Sequence, residues 1–206
     1  MIPLFQAAWE IHQFLTRHKI PYAIIGGFAV QHWGIPRLTV DVDLEVRAPL
    51  EEGSAELVRL VLSQFPSRVS DPFVRARQDR VILISASNGR GIDVSFGVPG
   101  YEEEFLRRAV DYKLTRGKVV RICAAEDLVV HKCVAGRAHD LRDVHGVVAR
   151  QFNALDIVYV REWLTFFDNL LPEPVALERF EQTWQAVRRS TPRKERKATR
   201  RPQRKK

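Results

Sequence analysis

Two aspartates one residue apart, Asp41-Val42-Asp43, follow a glycine pair, Gly26-Gly27, after a spacer of thirteen residues. A third, Asp93, stands between apolar neighbours in Ile92-Asp93-Val94. On a strand, side chains two apart share a face. Asp41 and Asp43 should therefore point the same way, about 6.5–7 Å apart, with Val40, Val42 and Leu44 turned to the core. Two like charges this close raise a pKa unless a cation sits between them. A hard divalent ion with oxygen ligands is the natural neutraliser, and the pair suits Mg²⁺ carried on a nucleoside triphosphate. The plain alternative is an exposed acidic strand face. Glu45 shares that face and reads as a solvated acid.

The glycines follow a short apolar run, Tyr22 to Ile25, and open a helix, so their backbone N–H groups can approach a phosphate closely. A simple strand-to-helix turn is the alternative. No Gly-Lys-Ser/Thr follows, which excludes a P-loop, and GGFAVQHWG has the wrong spacing for a dinucleotide fingerprint. DVDLE lacks the further ligand and the glycine of an EF-hand. Ile92, Val94 and Phe96 form one strand face and leave Asp93 and Ser95 on the other. There Asp93 can complete a metal cage or act as general base on an attacking hydroxyl.

Two cations draw notice. Lys132, within the apolar run LVVHKCVAG, must either snorkel to water or meet a negative partner. Arg37 precedes the acidic strand and can clamp a phosphate bidentately or pair with a nearby acid. Asp140 is placed as an N-cap and Asp143 in the first turn of a helix after Gly136, where the helix dipole favours acids. His131, His139, His145, Cys123 and Cys133 make no zinc pattern. The four tryptophans suit core or helix-interface positions, with Trp33 a candidate for base stacking.

The elements that must hold these residues alternate first and then turn all-helical. Helices are predicted over 3–18, 28–33, 50–65 and 101–109, and strands over 22–25, 40–46, 81–85, 92–96, 110–115 and 118–122. The two later strand pairs read as hairpins. From 125 onward the pattern is helical: 125–135, 140–152, 156–170 and 175–189. This order is α+β, a mixed β-sheet with flanking helices followed by a C-terminal helical region. The expected domains are an α/β core over 1–123, a helical region completing the site over 124–189 and a tail over 190–206.

The chain has 206 residues and formal net charge +8. Residues 188–206 hold eleven of the 33 Lys/Arg and one of the 25 acids, so the rest is net −2. The basic character belongs to a tail with no apolar periodicity, expected to be disordered. It suits a polyanion-binding arm, or it is simply solvated. No apolar run reaches the roughly 18 residues of a membrane span. Two cysteines cannot form a disulfide framework. Glu10 and His12 interrupt the apolar start and argue against a secretory signal. A cytoplasmic protein is expected.

Taken together, Ile25-Gly26-Gly27-x13-Asp41-Val42-Asp43-Leu44 and the later Ile92-Asp93-Val94 resemble the signature of the DNA polymerase β-type nucleotidyltransferase superfamily. Gly34-x-Pro36-Arg37-x-Thr39-x-Asp41-x-Asp43-Leu44, Glu126-Asp127-Leu128-x3-Lys132 and Asp140-Leu141-x-Asp143 resemble its abortive-infection branch, the nucleotidyltransferase toxins of type IV toxin–antitoxin systems. The resemblance implies a nucleotidyltransferase-like sheet and transfer of NMP from an NTP to an acceptor hydroxyl, with release of pyrophosphate. It implies Asp41, Asp43 and Asp93 as catalytic Mg²⁺ ligands, Asp93 also activating the acceptor. Gly26, Gly27, Arg37, Thr39, Lys132 and Asp143 become nucleotide contacts. Many members carry Ser where this chain has Gly27. The acceptor implied is an RNA end (tRNA especially), a protein hydroxyl or a small molecule such as an antibiotic, and an antitoxin is the implied partner. A catalytically silent binding or antitoxin-type domain, or a polyanion-binding module, are the competing readings.

Overall fold

The computed structural model describes residues 2–47 and 52–191. The basic segment 192–206, and with it nearly all of the expected tail, lies outside the described residues. Two compact units emerge, Met1–Ala29 with Arg37–Ala124, and Val30–Pro36 with Ala125 onward. Each is described by itself.

The first unit is built on a six-stranded mixed sheet, in the order β3-β4-β2-β1-β6-β5. Its strands are β1 (Tyr22–Ile24), β2 (Val42–Val46), β3 (Val81–Ser85), β4 (Gly91–Phe96), β5 (Val110–Thr115) and β6 (Lys118–Ile122). β3/β4 and β5/β6 are the expected hairpins. β2 runs antiparallel to β1 but parallel to β4, and β1 runs parallel to β6. Alternation explains the layers. Val42, Leu44, Ile82, Ile84, Ile92 and Val94 are fully buried, on the face that turns away from Asp43 and Asp93. Helix α1 (Pro3–Arg17) adds Ile11, Phe14 and Leu15 to the core. Phe14 meets Phe65 edge-on, just past helix α3 (Glu52–Leu62).

Three expectations fail here. The acidic strand starts at Val42 rather than 40, and Val40 is 46% exposed. Glu45 is buried rather than solvated. A Cβ on Gly97 would fall 3.1 Å from Glu45 Oε1 and 2.6 Å from Glu102 Oε2, so the start of helix α5 (Glu102–Arg108) covers it. The third is a helix without a predicted counterpart, α4 (Pro72–Asp79). Asp71 caps it by accepting from the backbone N–H of Phe73 and Val74, and Pro72 opens it. Only Ala76 is buried on it, so it has almost no apolar stripe to read.

Helix α2 (Gly26–Trp33) carries the boundary between the units. In the second unit, residues 33–35 are held by α7 (Ala138–Gln151). Arg150 donates to Gly34 O at 2.9 Å and Gln151 to Trp33 O at 3.0 Å. Helix α6 (Ala125–Ala135) is buried nearly all round, as the central helix of a small bundle must be. Around it pack α7, α8 (Ile157–Asp168) and α9 (Ala176–Ser190), where Trp184 stacks on Phe152 at 4.7 Å. Glu126 accepts from Asp156 N and Asp127 from the Tyr159 hydroxyl, tying α6 to α8. No described helix is long and apolar enough to cross a membrane.

Candidate functional site

β2 and β4 run parallel with Asp43 directly opposite Asp93. Neighbouring strands lie about 4.8 Å apart, and side chains in register stand on the same face. Asp41 is the residue before β2 rather than part of it. Its charge nevertheless reaches Asp93 and adds to the upward shift of that carboxyl. All three aspartates are half-buried. Burial is the main force lifting the Asp93 carboxyl above its usual range; the Arg68 guanidinium works against it and Asp41 adds to it.

The glycine pair is fitted to these acids. Gly26 holds φ +60°, the left-handed region that favours glycine, and Ile25 N donates to Asp43 O at 2.8 Å. A Cβ on Gly26 would overlap Asp43 Oδ2 and lie 2.7 Å from its Cγ. Gly27 is bare for a different reason. Its Cβ would lie 2.6 Å from Thr39 Oγ1 and 2.8 Å from Thr39 Cβ. Thr39 thus brings a hydroxyl to the edge of the glycine turn, where a side chain at 27 would otherwise stand. Arg37, in contrast, is exposed, and its guanidinium reaches the neighbouring Leu38 O.

Nothing in the sequence near Arg68 marks it as part of an acidic site. It lies in the segment before α4 that lacks apolar periodicity, and its partner is 25 residues away, so no local signal marks it. Its guanidinium is ion-paired to Asp93, and both side chains are 32% exposed. Gly91, at the start of β4, leaves room for a third party. A Cβ there would lie 2.6 Å from Asp41 Oδ1 and 2.8 Å from Arg68 Nη1. Asp41, Asp93 and Arg68 therefore meet in front of Gly91.

Among the described residues, no three Asp, Glu, His or Cys side chains are drawn close enough to cage a metal by themselves. The donor set nonetheless fits a hard cation. Asp43 and Asp93 share one sheet face with Asp41 close to Asp93, all three bring the oxygen ligands a hard cation takes, and the backbone at Gly26 is pared back to admit Asp43.

In the second unit Lys132 does not snorkel. Its side chain is 7% exposed, with Nζ 2.6 Å from Asp140 and 2.9 Å from Asp143. Asp140 is fully buried and also takes 2.6 Å from Arg137 Nε. Burial by itself would raise the Asp140 carboxyl, but the hydrogen bonds from Lys132 and Arg137 override it and leave it below its usual range. Asp140 is not the expected N-cap. That position is Arg137, with no side-chain cap, and Asp140 is the third helical residue, its carboxylate paired with Lys132. Asp143 lies in the second turn, on the same side.

No family model and no curated protein matches the chain. Solved structures give loose likenesses. An antigenic nucleotidyltransferase-like protein from Paracoccidioides brasiliensis aligns at 20% identity and TM-score 0.48, over 84% of this chain and 91% of that one. The antibiotic-resistance factor ANT(2'')-Ia aligns at 15% and 0.45, over 90% and 91%. A CCA-adding enzyme solved with ATP aligns at 12% and 0.34, over 85% of this chain and half of that one.

Proposed function

We propose that the chain is a magnesium-dependent nucleotidyltransferase, moving NMP from an NTP to an acceptor hydroxyl. One observation carries this: Asp43 stands in register with Asp93 on parallel strands, packed against a glycine that has no room for a side chain. A merely solvated acidic face has no use for that fit.

Asp41, Asp43 and Asp93 are the residues that would hold magnesium, which when bound supplies charge neutralisation for the triphosphate and the departing pyrophosphate. The chain's own contribution follows from its groups. Gly26 and Gly27 offer backbone N–H groups to phosphate oxygens at the start of α2. The Thr39 hydroxyl stands beside them, donating at 3.4 Å to Asp41 O, a long bond it can exchange for a phosphate oxygen. Asp93, its proton affinity raised by burial, takes the acceptor's hydroxyl proton on a carboxylate oxygen. The acceptor oxygen bonds to the α-phosphorus as the bond to pyrophosphate breaks. The nucleotide-contacting role that the resemblance implies for Arg37 belongs to the same proposal, whereas Lys132 and Asp143 are paired with each other and buried in the second unit and are not assigned that role.

For the acceptor we favour an RNA end over a protein hydroxyl, because the terminal residues 188–206 are so rich in Lys and Arg. A toxin–antitoxin role rests on the resemblance of the motifs alone. The test is incubation of purified protein with each labelled NTP, Mg²⁺, total RNA and lysate protein. Label entering RNA from the wild type, and absent with Asp41→Ala/Asp43→Ala, supports the whole proposal. Label entering protein instead keeps the chemistry and replaces the acceptor. No transfer by the wild type, or equal transfer by the double variant, overturns it.

A further inference from the structure

We propose that Arg68 is a positioning residue of the acidic site: a resident counter-cation that holds Asp93 in the ion-free protein and must leave it before a divalent cation can bind. The inference rests on the reading of these aspartates as magnesium ligands.

The backbone around Arg68 is fixed. Residues 66–68 run along the outer edge of β3, with a bridge between Ser67 and Ile84. Arg68 N donates to Leu83 O at 2.9 Å, and Ser85 N to Pro66 O at 3.0 Å. Ser67 Oγ closes the following turn onto Val69. The long side chain is the part that can move. Its root is anchored on the neighbouring strand pair, while the guanidinium reaches over to Asp93 and lies beside Asp41 at Gly91.

This placement has a charge logic. A guanidinium paired to Asp93, with Asp41 close by at Gly91, offsets the repulsion of the acids without any ion. It also claims carboxylate oxygens that a hard cation needs, and its charge repels that cation. At 32% exposure, the pair is open enough for an entering ion to displace it. Freed, the guanidinium keeps its five donors within a side chain's length of the same face, where phosphate oxygens are natural acceptors.

The test reads metal binding rather than turnover. Mn²⁺ affinity is measured by electron paramagnetic resonance for wild type, Arg68→Gln, Arg68→Lys and Arg68→Gln/Asp93→Asn, each checked by near-ultraviolet circular dichroism. Arg68→Gln is expected to bind Mn²⁺ roughly tenfold more tightly than wild type, the scale of about 1.4 kcal/mol. Arg68→Lys, which keeps the charge, should stay near wild type, and Asp93→Asn should cancel the gain. Equal or weaker binding by Arg68→Gln overturns the inference alone. No Mn²⁺ binding by any protein overturns it together with the magnesium assignment. Should Arg68→Gln not fold, the wild-type Arg68 Nε–Hε resonance decides. It must shift as Mg²⁺ is added, and a resonance that stays put while Mg²⁺ binds refutes the displacement.

Discussion

Asp43 and Asp93 face each other across a parallel strand pair, one residue for one residue, with no bulge to part them. Like charges in register oppose each other, and the Arg68 guanidinium on Asp93 offsets part of that repulsion in the ion-free protein. Asp43→Asn should leave the thermal midpoint in place or raise it, while lowering nucleotidyl transfer by about a hundredfold or more. Differential scanning fluorimetry and the transfer assay, run on the same preparation, check both halves.

Gly26 and Gly89 separate two costs that usually arrive together. Both hold positive φ, at +60° and +77°, but a Cβ at Gly89 meets nothing within 4 Å. Gly89→Ala should cost about 1–2 kcal/mol for the left-handed conformation alone. Gly26→Ala should cost more, because Asp43 must also move aside. Urea denaturation of the two variants gives the difference.

The side chain of Thr39 fills the space that a Cβ on Gly27 would need. Thr39→Val keeps the shape and removes the donor, and should weaken NTP binding by roughly tenfold, about one hydrogen bond. Gly27→Ser should destabilise the fold, and Thr39→Ala should restore stability in the double variant. A double-mutant cycle in urea, with NTP affinity measured beside it, tests the exchange.

Lys132 lies between two buried carboxylates, so its removal leaves charge without compensation. Lys132→Met should cost about 3–5 kcal/mol. Replacing Lys132, Asp140 and Asp143 together by apolar residues of similar size should cost much less. Chemical denaturation of single and triple variants distinguishes these outcomes.

His131 sets a pH dependence. Burial, reinforced by the charge of Lys132, lowers its pKa to about 4 from 6.5. As pH falls, the unfolded chain takes up this proton first. The stabilisation is complete above 6.5 and is lost as pH falls towards 4, by about 3 kcal/mol. Urea midpoints between pH 7.5 and 4.5 should decline in wild type and decline less in His131→Gln. Asp140, whose pKa is lowered from 3.8, acts below this window.

Much of the acidic site could be read from residue order, because its signals are local. Alternation around Val42 and Val94 turned Asp43 and Asp93 to one face, and a glycine pair after an apolar run marked the turn beside them. The strand pairing that sets Asp43 against Asp93 is long-range and appears only in the sheet. Arg68 was invisible for the same reason: its partner is distant and its own segment has no period. Alternation reports a face, not what covers it, so Glu45 reads as solvated although the start of α5 covers it. The apolar surroundings of Lys132 mark it, and two partners eight and eleven residues on decide its state.

The short stretch Val30–Pro36 has a practical consequence for anyone cutting the gene. It groups with the C-terminal helices, and there Arg150 and Gln151 donate to its carbonyls while Gly146 makes room for Ile35. An expression fragment stopping at residue 124 would strip this stretch of its supports, and one starting at 125 would lack it altogether. Neither half is a contiguous piece of chain, so trimming from either end should give insoluble product long before a folded fragment.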